Sequence, residues 1–171
     1  MPPNSESWFL SRIIRYLRKF YPDKQLLYTW ADGTMGKPGY VYQAANFFYG
    51  GFIDTEVYVN SSFEKVHPRT FQGLSQVKGN GKMNSRAMTV ATAMGYAKLW
   101  GRQFRYVYPL CHKQKWAKLQ AESPFQWQRH NYPKDGDCLW VLQDGEGRKA
   151  LSELPTKVTA KYMRPDELTL F

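Results

Sequence analysis

Two cysteines, Cys111 and Cys138, are all that the 171 residues contain. That is too few for a disulfide framework and fits free thiols in a reducing compartment. No run of eighteen apolar residues occurs, which excludes a membrane-spanning helix on length. The opening residues Met1 to Trp8 lack the apolar centre of a secretory signal, so the chain reads as cytoplasmic. Cys-x-x-Cys and His-x-x-x-His spacings are missing, and Cys111-His112 would point to opposite faces of a strand, so no metal site is expected. Gly79-Asn80-Gly81-Lys82 lacks the earlier glycine and the following Ser/Thr of a phosphate-binding P-loop, and no G-x-S-x-G elbow is present.

The most informative absence is of acid. Between Lys65 and Ala121 stand eleven Lys/Arg residues and no Asp or Glu, while the rest of the chain holds thirteen basic and fourteen acidic residues. The net charge of +10 therefore comes from one segment. Like charges so segregated are relieved by an anionic partner, most commonly nucleic acid, although a solvated basic face is the alternative.

What is present reads as one mixed α/β domain over 1–171, a mixed sheet with flanking helices, with the basic region 65–121 inside it. Asn4-Ser5 followed by Trp8, Phe9, Ile13, Ile14, Leu17 and Phe20 predicts an amphipathic helix that Pro22-Asp23 ends. Gln25 to Trp30 predicts a strand, and Asp32 to Gly39 a loop. Tyr40 to Tyr49 predicts a second helix, capped by Gly50-Gly51. Strands are expected at Phe52–Val59, Phe104–Tyr108, Trp140–Leu142 and Val158–Met163, and a helix over Asn84–Leu99. His67-Pro68-Arg69 and Lys78 to Lys82 are expected in irregular backbone.

The segment Tyr28 to Gly51, YTWADGTMGKPGYVYQAANFFYGG, carries the chemistry. A strand ends, Asp32 stands at its exit, a glycine-bearing loop follows, and Tyr40 and Tyr42 open a helix; ligand sites of α/β folds favour such strand ends. A tyrosine there can donate a proton, and a carboxylate can accept one. Turn chemistry for Asp32-Gly33 and a core position for Tyr42 are equally open on pattern alone. In Phe104 to Tyr108 the aromatics share one strand face and Arg105 takes the other, which suits either base stacking or a core.

YQAANF, Tyr42 to Phe47, resembles the tyrosine, three residues, glycine-phenylalanine signature of GNAT acyltransferases, with Asn46 in place of the glycine. NSESWFLSR, the 28–47 segment, HPR and RQFRYVYPL, in this order over roughly Asn4 to Lys134, resemble the Mom family of phage DNA adenine-modification proteins. The resemblance implies a GNAT-like fold and an enzyme that converts adenine of double-stranded DNA to an N6-carbamoylmethyl form, with protection against host restriction. It implies polar active-site roles for Ser7, Asp32 and Tyr42. It further implies a site for an acyl donor, acetyl-CoA or another, at Gly36, Gly39, Gln43 and Asn46. His67, Arg69, Arg105, Tyr106 and Tyr108 fall on the family's basic-aromatic positions, and Lys82 of the acid-free region joins them as a DNA contact. The adenine must be flipped out of the duplex to be reached. By the resemblance the domain lacks its N-terminal strands, so a missing upstream segment or partner polypeptide is expected. A GNAT enzyme acting on a protein or small-molecule amine, and a non-catalytic nucleic-acid-binding protein, are the alternatives.

Overall fold

A computed structural model describes residues 5–66 and 89–154. Helix α1 spans Ser5–Phe20, β1 Leu26–Asp32, α2 Tyr40–Ala44, β2 Phe48–Val59, β3 Lys65–Val66, β4 Ala97–Pro109, α3 Lys113–Glu122, β5 Trp140–Gln143 and β6 Arg148–Leu151. The six strands form one sheet of order β3-β2-β4-β5-β6, with β1 also paired to β4. The β1–β4, β2–β3, β4–β5 and β5–β6 pairings are antiparallel. Helices with a mixed-length sheet give the α/β class read from the sequence. Among the described residues no helix is long and apolar enough to cross a membrane.

The described residues form two compact units, one of residues 5–33, 37–53 and 103–138, the other of 34–36, 54–66, 89–102 and 139–154. In the first, β1 runs along the second half of β4, with Thr29 opposite Tyr106 and Trp30 opposite Arg105. Phe47, Phe104, Tyr106 and Val107 are fully buried there; each apolar side chain so removed from water stabilises by about 1.5–3 kcal/mol. The other unit closes on Val57, Val59 and Leu99, packed with Trp140, Leu142 and Leu151. A second cluster in it joins Tyr58 and Ala91.

Several boundaries depart from the sequence reading. The second helix is a single short turn, because Asn46 adopts φ 60. Asn46 N–H donates to Gln43 O and Phe47 N–H to Tyr42 O, the paired bonds of a Schellman motif, in which a left-handed residue ends a helix. Gly50-Gly51 therefore lie inside β2 and cap nothing. A Cβ on Gly50 would fall 2.2 Å from the Trp127 ring, so this glycine serves a close ring-on-strand approach.

The helix expected over Asn84–Leu99 is helical at 89–93, ends at Gly95 with φ 78, and gives way to β4 from Ala97. Tyr96 to Leu99 are thus not helical, since Leu99 is required in the core strand. Helix α3, which apolar periodicity did not signal, is capped by His112, whose Nδ1 accepts from Lys115 N–H at 3.3 Å. Strand β6 was likewise unforeseen, and the strand expected at Val158–Met163 lies outside the described residues.

On α1 the expected apolar face is only partly buried. Ile14 is inside, but Trp8, Phe9 and Phe20 stand exposed together with Tyr16. Apolar residues occupy two sides of this helix, and one side alone meets the rest of its unit.

Candidate functional site

Apart from residues 34–36, the motif segment belongs to the first unit, where it forms a strand, a short helix and the start of a strand. Lys37 N–H donates to Asp32 O at 3.2 Å and closes the loop after β1. Gly39 then turns the chain into α2 at φ 98, and a Cβ there would lie 2.6 Å from the Tyr106 ring and 2.9 Å from Ala31. Only glycine permits both the conformation and the contact. This seats α2 directly on β1 and β4.

Tyr42 consequently reaches the sheet. Thr29 Oγ1 and the Tyr42 hydroxyl are hydrogen-bonded at 3.2 Å, and the Tyr42 ring lies 5.4 Å from those of Phe47 and Tyr106. Either hydroxyl of such a pair can be the donor. Beside it, Tyr106 donates to Pro38 O at 2.5 Å and accepts from Gln43 Nε2 at 3.1 Å. Burial pushes the Tyr106 phenol well above its ordinary range and favours its neutral form. Tyr132, itself raised by burial, donates to Phe47 O at 2.6 Å and closes the far side of the aromatic wall.

Ser7 lies in the first turn of α1 and lines a cleft of about 420 Å³ between α1 and α2, together with Asn46 and Tyr108. Asp32 pairs across the ladder with Gln103. By strand alternation it takes the face of Tyr28 and Trp30, whereas Tyr42 meets Thr29 on the opposite face. Ser7 and Asn46 thus share one cleft, Tyr42 joins the neighbouring aromatic wall, and Asp32 turns to the other face of β1.

The four positions assigned to an acyl donor do not form one cradle. Gly39 is filled by Tyr106 and Ala31. Gln43 donates to both Tyr106 and Pro133 O. Gly36 belongs to the other unit, where a Cβ would touch Leu154. Asn46 opens on the cleft, whereas Gly39 and Gln43 of the same unit are engaged by Tyr106.

The basic-aromatic residues divide similarly. Arg105 is 8% exposed, donates from Nε to the Tyr28 hydroxyl at 3.0 Å and from NH1 to Gly50 O at 2.7 Å, and lies 3.7 Å from the Phe125 ring. Tyr106 is fully buried and presents no surface for a base, while Tyr108 forms part of the cleft. His67, Arg69 and Lys82 lie outside the described residues. The acid-free segment is not all surface either, because Lys98 is buried against Glu56 at 2.8 Å in the other unit.

Sequence reasoning passed over Thr29, Arg15 and Arg18. The arginines were legible, since Ser7, Ser11, Ile14 and Arg18 recur at helical spacing; Thr29 was not, because its partner depends on where α2 docks. Among the described residues no group of three His, Cys, Asp or Glu side chains is placed to hold a metal.

Comparison with known proteins gives two matches. Residues 1–134 match the model of the Mom protein family. A 58-residue stretch is 38% identical to "Methylcarbamoylase mom" of Escherichia phage Mu and covers 34% of this chain and 24% of that protein. This chain thus aligns with well under two thirds of that curated relative's length.

Proposed function

The chain belongs to the Mom protein family, and from that premise we propose that it modifies adenine in DNA by N6-carbamoylmethylation, in a GNAT-like active site. The observation that carries the reading is the Tyr42 hydroxyl, within hydrogen-bond distance of Thr29 Oγ1 and set beside the Tyr106 ring. Tyr42 serves as a proton or hydrogen-bond donor to the bound substrate, on the scale of about 10²–10⁴ in rate usual for positioned acids. Asp32, at the exit of β1, takes the opposite face of the strand from Tyr42 and is assigned no step with it. Ser7 is a hydrogen-bonding accessory at the adjoining cleft. No step is assigned to acetyl-CoA or another acyl donor, because the residues expected to hold one do not converge. The modified base would shield phage DNA from host restriction.

The test is expression of the reading frame, with any in-frame upstream extension, followed by mass analysis of nucleosides from the cell's DNA. Modified adenine should appear with the parent and fall by about 10²–10⁴ in Tyr42→Phe at an unchanged melting temperature. Equal modification by Tyr42→Phe would return that tyrosine to a packing role. A protein or small-molecule amine modified in place of adenine would favour the wider acyltransferase reading.

A further inference from the structure

Helix α1 carries two features that the catalytic reading does not use. One is the charge of the cleft: among the described residues its charged lining is Arg15 and Arg18, with no Asp or Glu. Ser7, Ser11 and Arg18 stand on the cleft side of the helix, with Asn46 and Tyr108 across from them. Arg18 is already oriented there, donating from NH2 to Pro109 O at 3.0 Å with its guanidinium 5.5 Å from the Tyr108 ring. The second feature is the outer side of α1. Trp8, at the cleft rim, is 59% exposed, and the Arg12 guanidinium lies 4.9 Å from its ring. Phe9, Tyr16 and Phe20 are exposed further along, among Arg12, Arg15, Arg18 and Lys19, with Glu6 the one acid of the helix.

Exposed large aromatics alone would suggest an apolar partner. Interleaved with arginines beside an acid-free cleft, they match a strand of nucleic acid, whose bases stack on rings while its phosphates meet cations. The volume lies within the range of small-ligand sites and admits a phosphate with part of its sugar.

We propose that the α1–α2 cleft is a phosphate site for a backbone phosphate of the DNA strand being modified, with Arg15 and Arg18 as its cations. The neighbouring base of that strand stacks on Trp8. This deepens the reading of DNA as substrate and rests on it. It places the strand along α1, a surface outside the acid-free segment 65–121.

The experiment titrates a fluorescein-labelled single-stranded oligonucleotide against the whole chain at several salt concentrations. Parent, Arg15→Ala, Arg15→Lys and Trp8→Ala are compared, with melting temperatures measured alongside. Arg15→Ala should flatten the slope of log affinity against log salt by about 0.7, one single-strand phosphate contact, and Arg15→Lys should restore it. Trp8→Ala should weaken binding by about tenfold with the slope unchanged. Inorganic pyrophosphate serves as competitor, to separate a strand phosphate from that of a small molecule, and should displace the oligonucleotide only at concentrations where salt alone does so. Pyrophosphate binding that depends on Arg15, with oligonucleotide affinity indifferent to it, would overturn the proposal in favour of a small phosphate ligand. A parent that binds while every variant binds equally well would sink the cleft and leave the DNA reading standing. A parent that binds no DNA at low salt would remove both.

Discussion

In the second half of β4, Arg105 and Tyr106 are buried, with every mapped polar contact made inside their own unit. On α1 of that same unit, Arg15, Trp8 and Tyr16 carry the same chemistry and face water. The residue types are nearly identical and the outcomes opposite. In β4 the guanidinium has a carbonyl, a phenol and two rings around it, Phe125 at 3.7 Å and Trp30 at 5.0 Å, which replace the water it loses. On α1 the cations have no such enclosure. A basic-aromatic pattern therefore marks a core brace in one place and a candidate contact surface in the other, and neighbours decide which.

The comparison can be broken first at Gly39, which seats α2 on the buried half. Gly39→Ala adds both left-handed strain and a clash with Tyr106 and Ala31, and should destabilise by about 4 kcal/mol in urea unfolding. A loss below about 1 kcal/mol would show that the wall yields and is not tightly packed.

Arg105→Ala removes two charge-assisted hydrogen bonds and two ring contacts and should destabilise by about 3 kcal/mol. Arg15→Ala is the matched control on α1 and should fall within about 0.5 kcal/mol of the parent. Equal losses at the two arginines would erase the distinction.

A pH series sharpens the buried side. Burial raises the Tyr106 phenol above its ordinary 10.0, so the unfolded chain releases that proton at a lower pH than the folded one. The stabilisation is complete below pH 10 and declines as pH rises beyond it, by up to about 1.4 kcal/mol per pH unit for one phenol. Tyr58 and Tyr132, also raised by burial, act with the same sign. Chemical denaturation between pH 9 and 11 should show this fall, and Tyr106→Phe should make it shallower. A slope unchanged in Tyr106→Phe would assign the effect to the other phenols.

The smallest effect is expected at Trp8. Trp8→Ala should shift stability by less than about 0.5 kcal/mol, because its ring is largely in water already. A larger loss would mean that the ring packs on its own unit and is not held out for a partner.

Legibility in the sequence followed how local each cause is. Helix α1, the cores of β1 and β4 and the β5 strand rest on periodicity, and they stand where the sequence predicted them. Helix α2 was overrun because Asn46 in the left-handed region ends it, a role for which Gly50-Gly51 had seemed the stronger signal. Asparagine is one of the few residues other than glycine that adopt this conformation readily. Tyr42 was legible as a site candidate, but its partner Thr29 stands in a different element and becomes one only after α2 docks. Gln43 and Gly39 were read toward a ligand and are engaged by Tyr106, for the same reason.

By itself the sequence determined the α/β class, the family, the alternation that parts Arg105 from Tyr106, and the concentration of positive charge between Lys65 and Ala121. These depend on residue order and on periods of two and 3.6, which any chain with this sequence carries before it folds. Tertiary structure alone decided that Lys98 meets Glu56, that Arg105 is enclosed by rings, and that Arg15 and Arg18 of α1 line a cleft with Asn46 and Tyr108. Those outcomes join residues far apart in the chain. Whether a charge is paired, buried or left to a ligand depends on which groups surround it in space.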